Sequence, residues 1–293
     1  MKKDHCVVTG SSGFVGKHLC EYLIAFGAEV TGIDVRPNIG ITGSPSNFVQ
    51  GNLATGEGLD QVDWSRVNAV FHLAAAGVKA STRDWPICIR VNLMGTLTLL
   101  ECLDKATHPP TLIYTHTFYE DFITSNPAIA ESPYVLSKRA TTQAVRLFAR
   151  HYAGAIVTAK LFQIYGPGDA KGNLLPYTLD CLRGGTPALL GSGTGLRDWL
   201  YIHDLVTGLA ACRHAAIPEH CCGFELGSGQ LTAIRDVLLQ AAALLGRPAS
   251  LLEFDPIRDR GDAELAGKAE QWPAAWRPTV NLEQGLRALI ESF

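Results

Sequence analysis

No uninterrupted apolar run in this sequence approaches the ~18 residues that a bilayer-spanning helix needs, which predicts no membrane partner. The opening Met1-Lys2-Lys3 is basic, but too few apolar residues follow it to make a secretory leader. Cys-x-x-Cys is missing, and so is any paired-histidine spacing suited to a metal. The eight cysteines (Cys6, Cys20, Cys88, Cys102, Cys181, Cys212, Cys221 and Cys222) are scattered. That pattern predicts reduced, mostly buried thiols, a cytoplasmic location and no bound metal. An excess of one charge is also lacking: 25 Lys and Arg against 28 Asp and Glu give a net charge of −3. Without a basic stripe, nothing here offers itself to nucleic acid. There is no internal repeat and no low-complexity tail.

What is present is a chain of 293 residues, 47% hydrophobic. That suffices for one large core, or one core with a smaller lobe. Apolar runs near 5–9, 29–34, 69–75, 111–115 and 155–161 alternate with helical patterns, notably Ile89 to Lys105 and Tyr134 to Tyr152. The runs are continuous rather than alternating, as in parallel strands buried on both faces. The expected fold class is α/β: a Rossmann-like, doubly wound parallel sheet. After Gly166-Pro167-Gly168 the segments shorten and Gly and Pro become frequent. Residues 1–165 are therefore expected to form a dinucleotide-binding domain, and 166–293 mainly a smaller C-terminal α/β substrate lobe. Residues 223–226 are expected to return to the sheet.

Gly10, Gly13 and Gly16 follow the apolar run Cys6-Val7-Val8-Thr9 and lead into a helical pattern from Lys17. A strand, a glycine turn and a helix N-terminus make an anion site from free N–H groups and the helix dipole. Gly10 suits the tight turn, Gly13 the approach of a pyrophosphate, and Gly16 the packing of helix on strand. Ser12, Phe14 and Val15 share that turn. Asp34 ends the second apolar run, where a carboxylate would accept from an adenosine ribose. It favours NAD over NADP, while Arg36 two residues on leaves NADP open.

Tyr134 and Lys138 stand four residues apart at the start of a predicted helix, on one face of it. A free tyrosine titrates near pH ~10, too high for a base at neutrality. An ammonium and a cationic nicotinamide would both favour the phenolate, making a tuned acid/base.

The glycine turn, His72-Leu73-Ala74-Ala75, Val91-Asn92, Thr115-His116-Thr117, Tyr134 and Lys138 occur in one order at compatible spacing. Together they resemble the extended short-chain dehydrogenase/reductase family, in its branch of nucleotide-sugar epimerases, dehydratases and reductases. Tyr165-Gly166-Pro167-Gly168, Gly191-Ser192-Gly193, Arg197-Asp198-Trp199 and Tyr201-Ile202-His203-Asp204 look like that branch's substrate-lobe signposts. Trp276-Arg277-Pro278 ahead of Leu282 is similar to its C-terminal ending, so the likeness covers nearly the whole chain.

The resemblance implies that Tyr134 exchanges a proton with a sugar oxygen while the nicotinamide exchanges a hydride with the same carbon. Lys138 would lower the tyrosine's pKa and hold the nicotinamide ribose. Thr117, or else Thr115, would hydrogen-bond the reacting oxygen. Leu73, Ala74, Ala75, Asn92 and Thr115 would line the cofactor. Asn52-Leu53, where the family commonly has Asp-Leu, would receive the adenine amino group. In the lobe, Gln163 replaces the usual Asn, Arg197 is the better candidate for a substrate phosphate, and Arg258 or Arg260 would supply a second cation. His72 reads as packed rather than catalytic. Phe118, Tyr119 and Phe122 would either line the sugar pocket or cover the end of the sheet.

The commonest Ser-Ser-x-x-Val-Tyr-Gly is here Thr115-His116-Thr117-Phe118-Tyr119-Glu120-Asp121, and Tyr134 follows Thr117 by only 17 residues. His116 and Thr117 stand where the resemblance implies the carboxylates of a 4,6-dehydratase, which argues against that chemistry. The pattern looks more like the 4-keto-reductases that make deoxysugar nucleotides. The leading expectation is an NAD(P)-dependent reductase of a nucleotide-linked 4-keto-6-deoxyhexose. A nucleotide-sugar 4-epimerase with internally recycled NAD, and a non-catalytic nicotinamide-binding protein, are the alternatives. The resemblance further implies a homodimer packed through the helices that bear Asn92 and Tyr134.

Overall fold

The computed structural model describes residues 3–37, 45–78, 83–215, 221–259 and 265–293. In chain order its strands begin with β1 (His5–Thr9), β2 (Glu29–Asp34), β3 (Asn47–Gln50), β4 (Ala69–His72), β5 (Thr111–Thr117) and β6 (Ile156–Leu161). They continue with β7 (Gln163–Tyr165), β8 (Ala188–Leu190), β9 (Leu196–Tyr201), β10 (Cys221–Leu226), β11 (Leu231–Ala233) and β12 (Leu252–Phe254). Seven of them form one sheet in the order β10-β6-β5-β4-β1-β2-β3, every neighbouring pair parallel. The order reverses at β1 and β4, and the crevice beyond the carboxyl ends at such a switch point is where open α/β sheets bind ligands.

The helices are α1 (Phe14–Ala25), α2 (Trp85–Cys88), α3 (Gly95–Asp104), α4 (Pro127–Ala130), α5 (Pro133–Phe148), α6 (Leu174–Gly184), α7 (Ile202–Cys212), α8 (Ile234–Leu244) and α9 (Leu282–Glu291). One face of the sheet is covered by Leu19 and Leu23 of α1 with Leu205 and Leu209 of α7. Leu99, Leu100 and Leu103 of α3 and Val145 of α5 cover the other. With both faces buried, β1 and β4 have no exposed position, which explains why their sequences read as unbroken apolar runs.

α2 and α3 are joined without a break by a π-helical turn, Ile89–Met94. The resulting helix, Trp85–Asp104, is the one described segment long and apolar enough by length and composition to cross a membrane. Arg90 and Asn92 interrupt its apolar sequence, so it is no unbroken run. Leu99, Leu100 and Leu103 of that helix are packed on the sheet.

A second core lies in the later chain. β9 pairs with β7 and β11, β8 pairs with β12, and α6, α8 and α9 pack together through Leu179, Leu182, Val237, Leu238, Leu286 and Leu289. Two buried aspartates fix its loops. Asp198 accepts from Ser228 N, Gly229 N and Ala269 N, and Asp204 accepts from Thr279 N and Val280 N. β10, by contrast, leaves this lobe and pairs with β6, Leu226 beside Leu161.

Candidate active site

The turn after β1 is built around glycine. Gly10 has φ +73°, and a Cβ there would lie 2.8 Å from Ala74 N, so a side chain is excluded both by conformation and by space. At Gly16 a Cβ would collide with the Gly10 carbonyl oxygen, so α1 can sit this close to the turn only without one. Gly13 caps α1 with no side-chain hydrogen bond, and the first turn of the helix carries no acidic residue. Its leading N–H groups therefore face outward with the positive end of the helix dipole, next to half-buried Phe14 and Val15. This arrangement fits a pyrophosphate.

Asp34 ends β2 and is 7% exposed. Its Oδ2 accepts from Ser12 N at 3.0 Å, and its Oδ1 accepts from Arg36 N at 2.9 Å and Arg36 Nε at 3.3 Å. The carboxylate thus holds the glycine turn against the end of β2, with lone pairs to spare for a ribose. Asn52 turns its Oδ1 back onto Ala54 N at 3.0 Å, so an adenine amino group would have to share that oxygen. Leu53 beside it is buried.

Leu73, Ala74 and Ala75 leave β4 half-buried, and Ala74 N donates to Thr9 Oγ1 at 3.3 Å. Asn92, on the π-helical turn, has its side chain spent on the same loop: Oδ1 accepts from Ala76 N at 2.7 Å, and Nδ2 donates to Ala76 O at 3.0 Å and Ser137 Oγ at 2.8 Å. Its reach toward a cofactor therefore runs through the loop it holds. Gly77, at φ +81°, brings that loop against Tyr134, whose Cβ would be 3.3 Å from an added methyl. His72 is packed as expected. Its imidazole bridges Thr9 Oγ1 at 2.7 Å and Thr96 Oγ1 at 2.8 Å, and burial, helped by the Lys138 charge, brings its pKa down to about 3.

Tyr134 and Lys138 project from the first turns of α5, which Ser132 caps by accepting from Val135 N and Pro133 opens. The Thr117 hydroxyl, at the end of β5, stands near enough to the Tyr134 phenol to draw its pKa down. Thr117 Oγ1 also accepts from Tyr119 N at 3.3 Å, which leaves its single proton for the phenol or for a bound oxygen. Thr115 is spent otherwise: its hydroxyl donates to His72 O at 3.0 Å.

Burial, and then the Glu120 carboxylate, push the Tyr134 phenol well above its ordinary range; Arg83 and the Thr117 hydroxyl pull it down. Lys138 stands one turn further along α5. Its ammonium donates to Thr115 O at 2.6 Å and lies 4.6 Å from the centre of the Tyr114 ring, and burial lowers its pKa to about 8 against the raising effect of Glu120.

The lobe residues are more deeply committed than expected. Arg197 is 3% exposed and donates to Leu196 O at 2.9 Å and Leu265 O at 2.8 Å. Arg258 is exposed, 3.8 Å from Asp255; Arg260 lies outside the described residues. Gln163 is half-buried on β7 opposite Trp199. Phe118 is 2% exposed, its ring stacked on Phe162 at 5.4 Å and close to Tyr119 at 4.3 Å, so it serves as a wall of the cluster that also holds Phe122. Two charged residues beside the site had no sequence signal: Glu120, buried behind Thr117, and Arg83, which donates to Gly77 O at 3.3 Å.

Comparison with known proteins gives the same outline. The sequence profile of the NAD dependent epimerase/dehydratase family matches residues 6–220. The chain is 24% identical to CDP-abequose synthase of Salmonella typhimurium, across 99% of this chain and 98% of that protein. It is 26% identical to UDP-glucose 4-epimerase of Mycolicibacterium smegmatis, across 98% and 97%. Among solved structures, the Thermus thermophilus UDP-glucose 4-epimerase complex with NAD superposes with a TM-score of 0.82 at 25% identity, covering 98% of both chains.

Proposed function

The chain belongs to the NAD dependent epimerase/dehydratase family, and from that we propose that it is a reductase acting at C4 of a nucleotide-linked 4-keto-6-deoxyhexose, with NADH as coenzyme. The observation that carries the reading is the approach of Tyr134, in the first turn of α5, to the Thr117 hydroxyl at the carboxyl end of β5, beside the glycine turn. A keto group placed between those hydroxyls and a nicotinamide meets both partners that its reduction needs.

In this reading Gly10, Ser12, Gly13, Phe14, Val15 and Gly16 hold the pyrophosphate, Asp34 the adenosine ribose, Asn52 and Leu53 the adenine, and Leu73, Ala74, Ala75 and Thr115 the nicotinamide side. When bound, NADH supplies the hydride. Thr117 orients the keto oxygen with its free proton, and Tyr134 gives that oxygen a proton as the alkoxide charge develops. Burial that keeps the phenol protonated suits a proton donor. Lys138 holds the nicotinamide ribose. Gln163 and Arg197 face the diphosphate, Arg197 once its backbone partners share it. A second copy of the chain packs on the helices bearing Asn92 and Tyr134, a reading supported by exposed Trp85, Ile87, Met94 and Leu147 on those helices.

Similarity to CDP-abequose synthase along nearly the full length of both chains supports reduction. Similarity to UDP-glucose 4-epimerases supports a second reading, 4-epimerisation with retained NAD, and buried Asp34 suits either. The deciding experiment follows absorbance at 340 nm with NADH or NADPH and a panel of nucleotide-4-keto-6-deoxyhexoses. Stoichiometric loss of signal with one sugar is expected. An unchanged signal, with NAD released from the denatured protein, would move the assignment to the epimerase.

A further inference from the structure

Glu120 is 3% exposed and carries its carboxylate into the wall behind Tyr134 and Lys138. Its Oε1 joins its own turn to β5 and α5. Thr117 N, at the end of β5, donates to it at 3.5 Å; His116 Nδ1, also on β5, lies 3.4 Å away. From α5, Thr142 Oγ1 shares one proton between this oxygen at 3.2 Å and Lys138 O at 2.9 Å. The backbone of Glu120 is held as well, since Arg139 Nη1 donates to its carbonyl at 3.1 Å. A carboxylate is costly to bury unless it is matched in this way.

We propose that Glu120 is a positioning residue of the site: its carboxylate fixes the turn that aims Thr117 and, bonded to Thr142 one turn beyond Lys138, sets a buried negative charge beside the reacting end of α5. The role rests on the reading of Tyr134 and Lys138 as the reacting pair. Burial works against ionising Glu120, but His116, Lys138 and Thr142 more than offset it and hold the carboxyl below its usual range, so the charge is present at neutral pH. The titratable and charged groups around it are Tyr114 and His116 from β5, and Tyr134, Lys138 and Arg139 from α5. Tyr119 and Asp121 belong to its own turn, Arg83 faces Tyr134, and α4 brings none. Lys160 is taken by Asp121 at 2.8 Å and Glu225 at 3.1 Å.

The test needs no substrate. Lys138 is held at about 8 in the folded protein, below its ordinary 10.5. Between those values Lys138 binds more protons in the unfolded chain than in the folded one, so its own contribution to stability climbs with pH. The climb is read as the difference between each protein and its Lys138→Met partner, in which the opposing fall from the buried thiols cancels. Urea unfolding is measured from pH 6 to 10 on the full chain and on Glu120→Gln and Glu120→Asp, each with and without Lys138→Met. Removing the charge in Glu120→Gln should move the onset of the climb down by at least about half a pH unit. Glu120→Asp, its charge withdrawn by one methylene, should move the onset in the same direction by less, and decides the matter if Glu120→Gln does not fold. An unmoved onset, with uniform destabilisation at every pH, would overturn the proposal. If a nucleotide sugar is turned over, the alkaline limb of kcat/KM should fall in pH by the same order. Should none be reduced while the unfolding onset still moves, the reductase reading fails and the electrostatic role stands.

Discussion

The side-chain amide of Asn92 donates to Ser137 Oγ at 2.8 Å, one residue before Lys138 on α5. With its two bonds to Ala76, this side chain ties three segments together: the π-helical turn, the loop after β4, and the helix carrying the reacting pair. The π turn frees the Asn92 carbonyl for Thr96 Oγ1 at 2.6 Å and Thr141 Oγ1 at 3.1 Å.

Asn92→Ala would strand the half-buried Ala76 N–H and the Asn92-facing hydroxyl of Ser137, and would leave Ala76 O only the long contact from Cys88 Sγ at 3.9 Å. Each unsatisfied group costs about 1–3 kcal/mol, so the urea midpoint should fall by the equivalent of about 3 kcal/mol with the denaturant slope unchanged. A loss below about 1 kcal/mol would mean that water replaces the amide.

Gly10→Ala combines a left-handed backbone with a methyl 2.8 Å from Ala74 N. The expected loss is at least about 2 kcal/mol, with NADH binding, read by nicotinamide fluorescence, weakened at least tenfold. Gly27→Ala, where φ is +86° and nothing lies within 4 Å, is the control. It should cost about 1 kcal/mol and leave NADH binding unchanged.

Thr117 and Thr115 are two residues apart and do different work. Thr117→Val should lower kcat by about 10²-fold or more, as loss of a positioned proton partner does, with KM for the nucleotide sugar little changed. Thr115→Val removes the bond to His72 O and should lower kcat by less than about fivefold, its effect falling on stability and on NADH binding rather than on proton transfer. Reversed magnitudes would exchange the two assignments.

His72 makes stability depend on acid. Its folded pKa is about 3, below the ordinary 6.5. The unfolded chain therefore takes up a proton first as pH falls through 6.5, and the folded state loses stability at about 1.4 kcal/mol per pH unit below that. By pH 5 the wild type should have lost about 2 kcal/mol more than His72→Gln, measured by urea unfolding at each pH. Parallel curves would mean that the imidazole is protonated in the fold.

Much of the sheet was legible because burial on both faces writes itself as an unbroken apolar run: β1 and β2 fall on the expected 5–9 and 29–34. The run at 69–75 stops being strand at His72, since Leu73 to Ala75 turn into the crevice, a change that hydrophobicity does not record. β3 escaped notice because it is an edge strand, with only Val49 of its four residues buried and polar Asn47 and Gln50 at its two ends. Around the site, the glycine spacing and the Tyr134–Lys138 spacing follow from local geometry and could be read directly. The burial of Arg197, Phe118 and Glu120 depends on which distant backbone and rings cover them, and a linear Phe-Tyr-Glu-Asp carries no trace of that.

β10 joins the sheet beside β6 only after the chain has laid down β7, β8, β9, α6 and α7. A chain ended at Tyr165 would leave β6 as a bare margin, its outward row of N–H and C=O groups open to pairing with any passing strand. Synthesis from the amino end meets the same condition. The ribosome delivers most of the second core before the last strand of the first, so the nascent chain spends that interval as an unfinished sheet and closes both cores late.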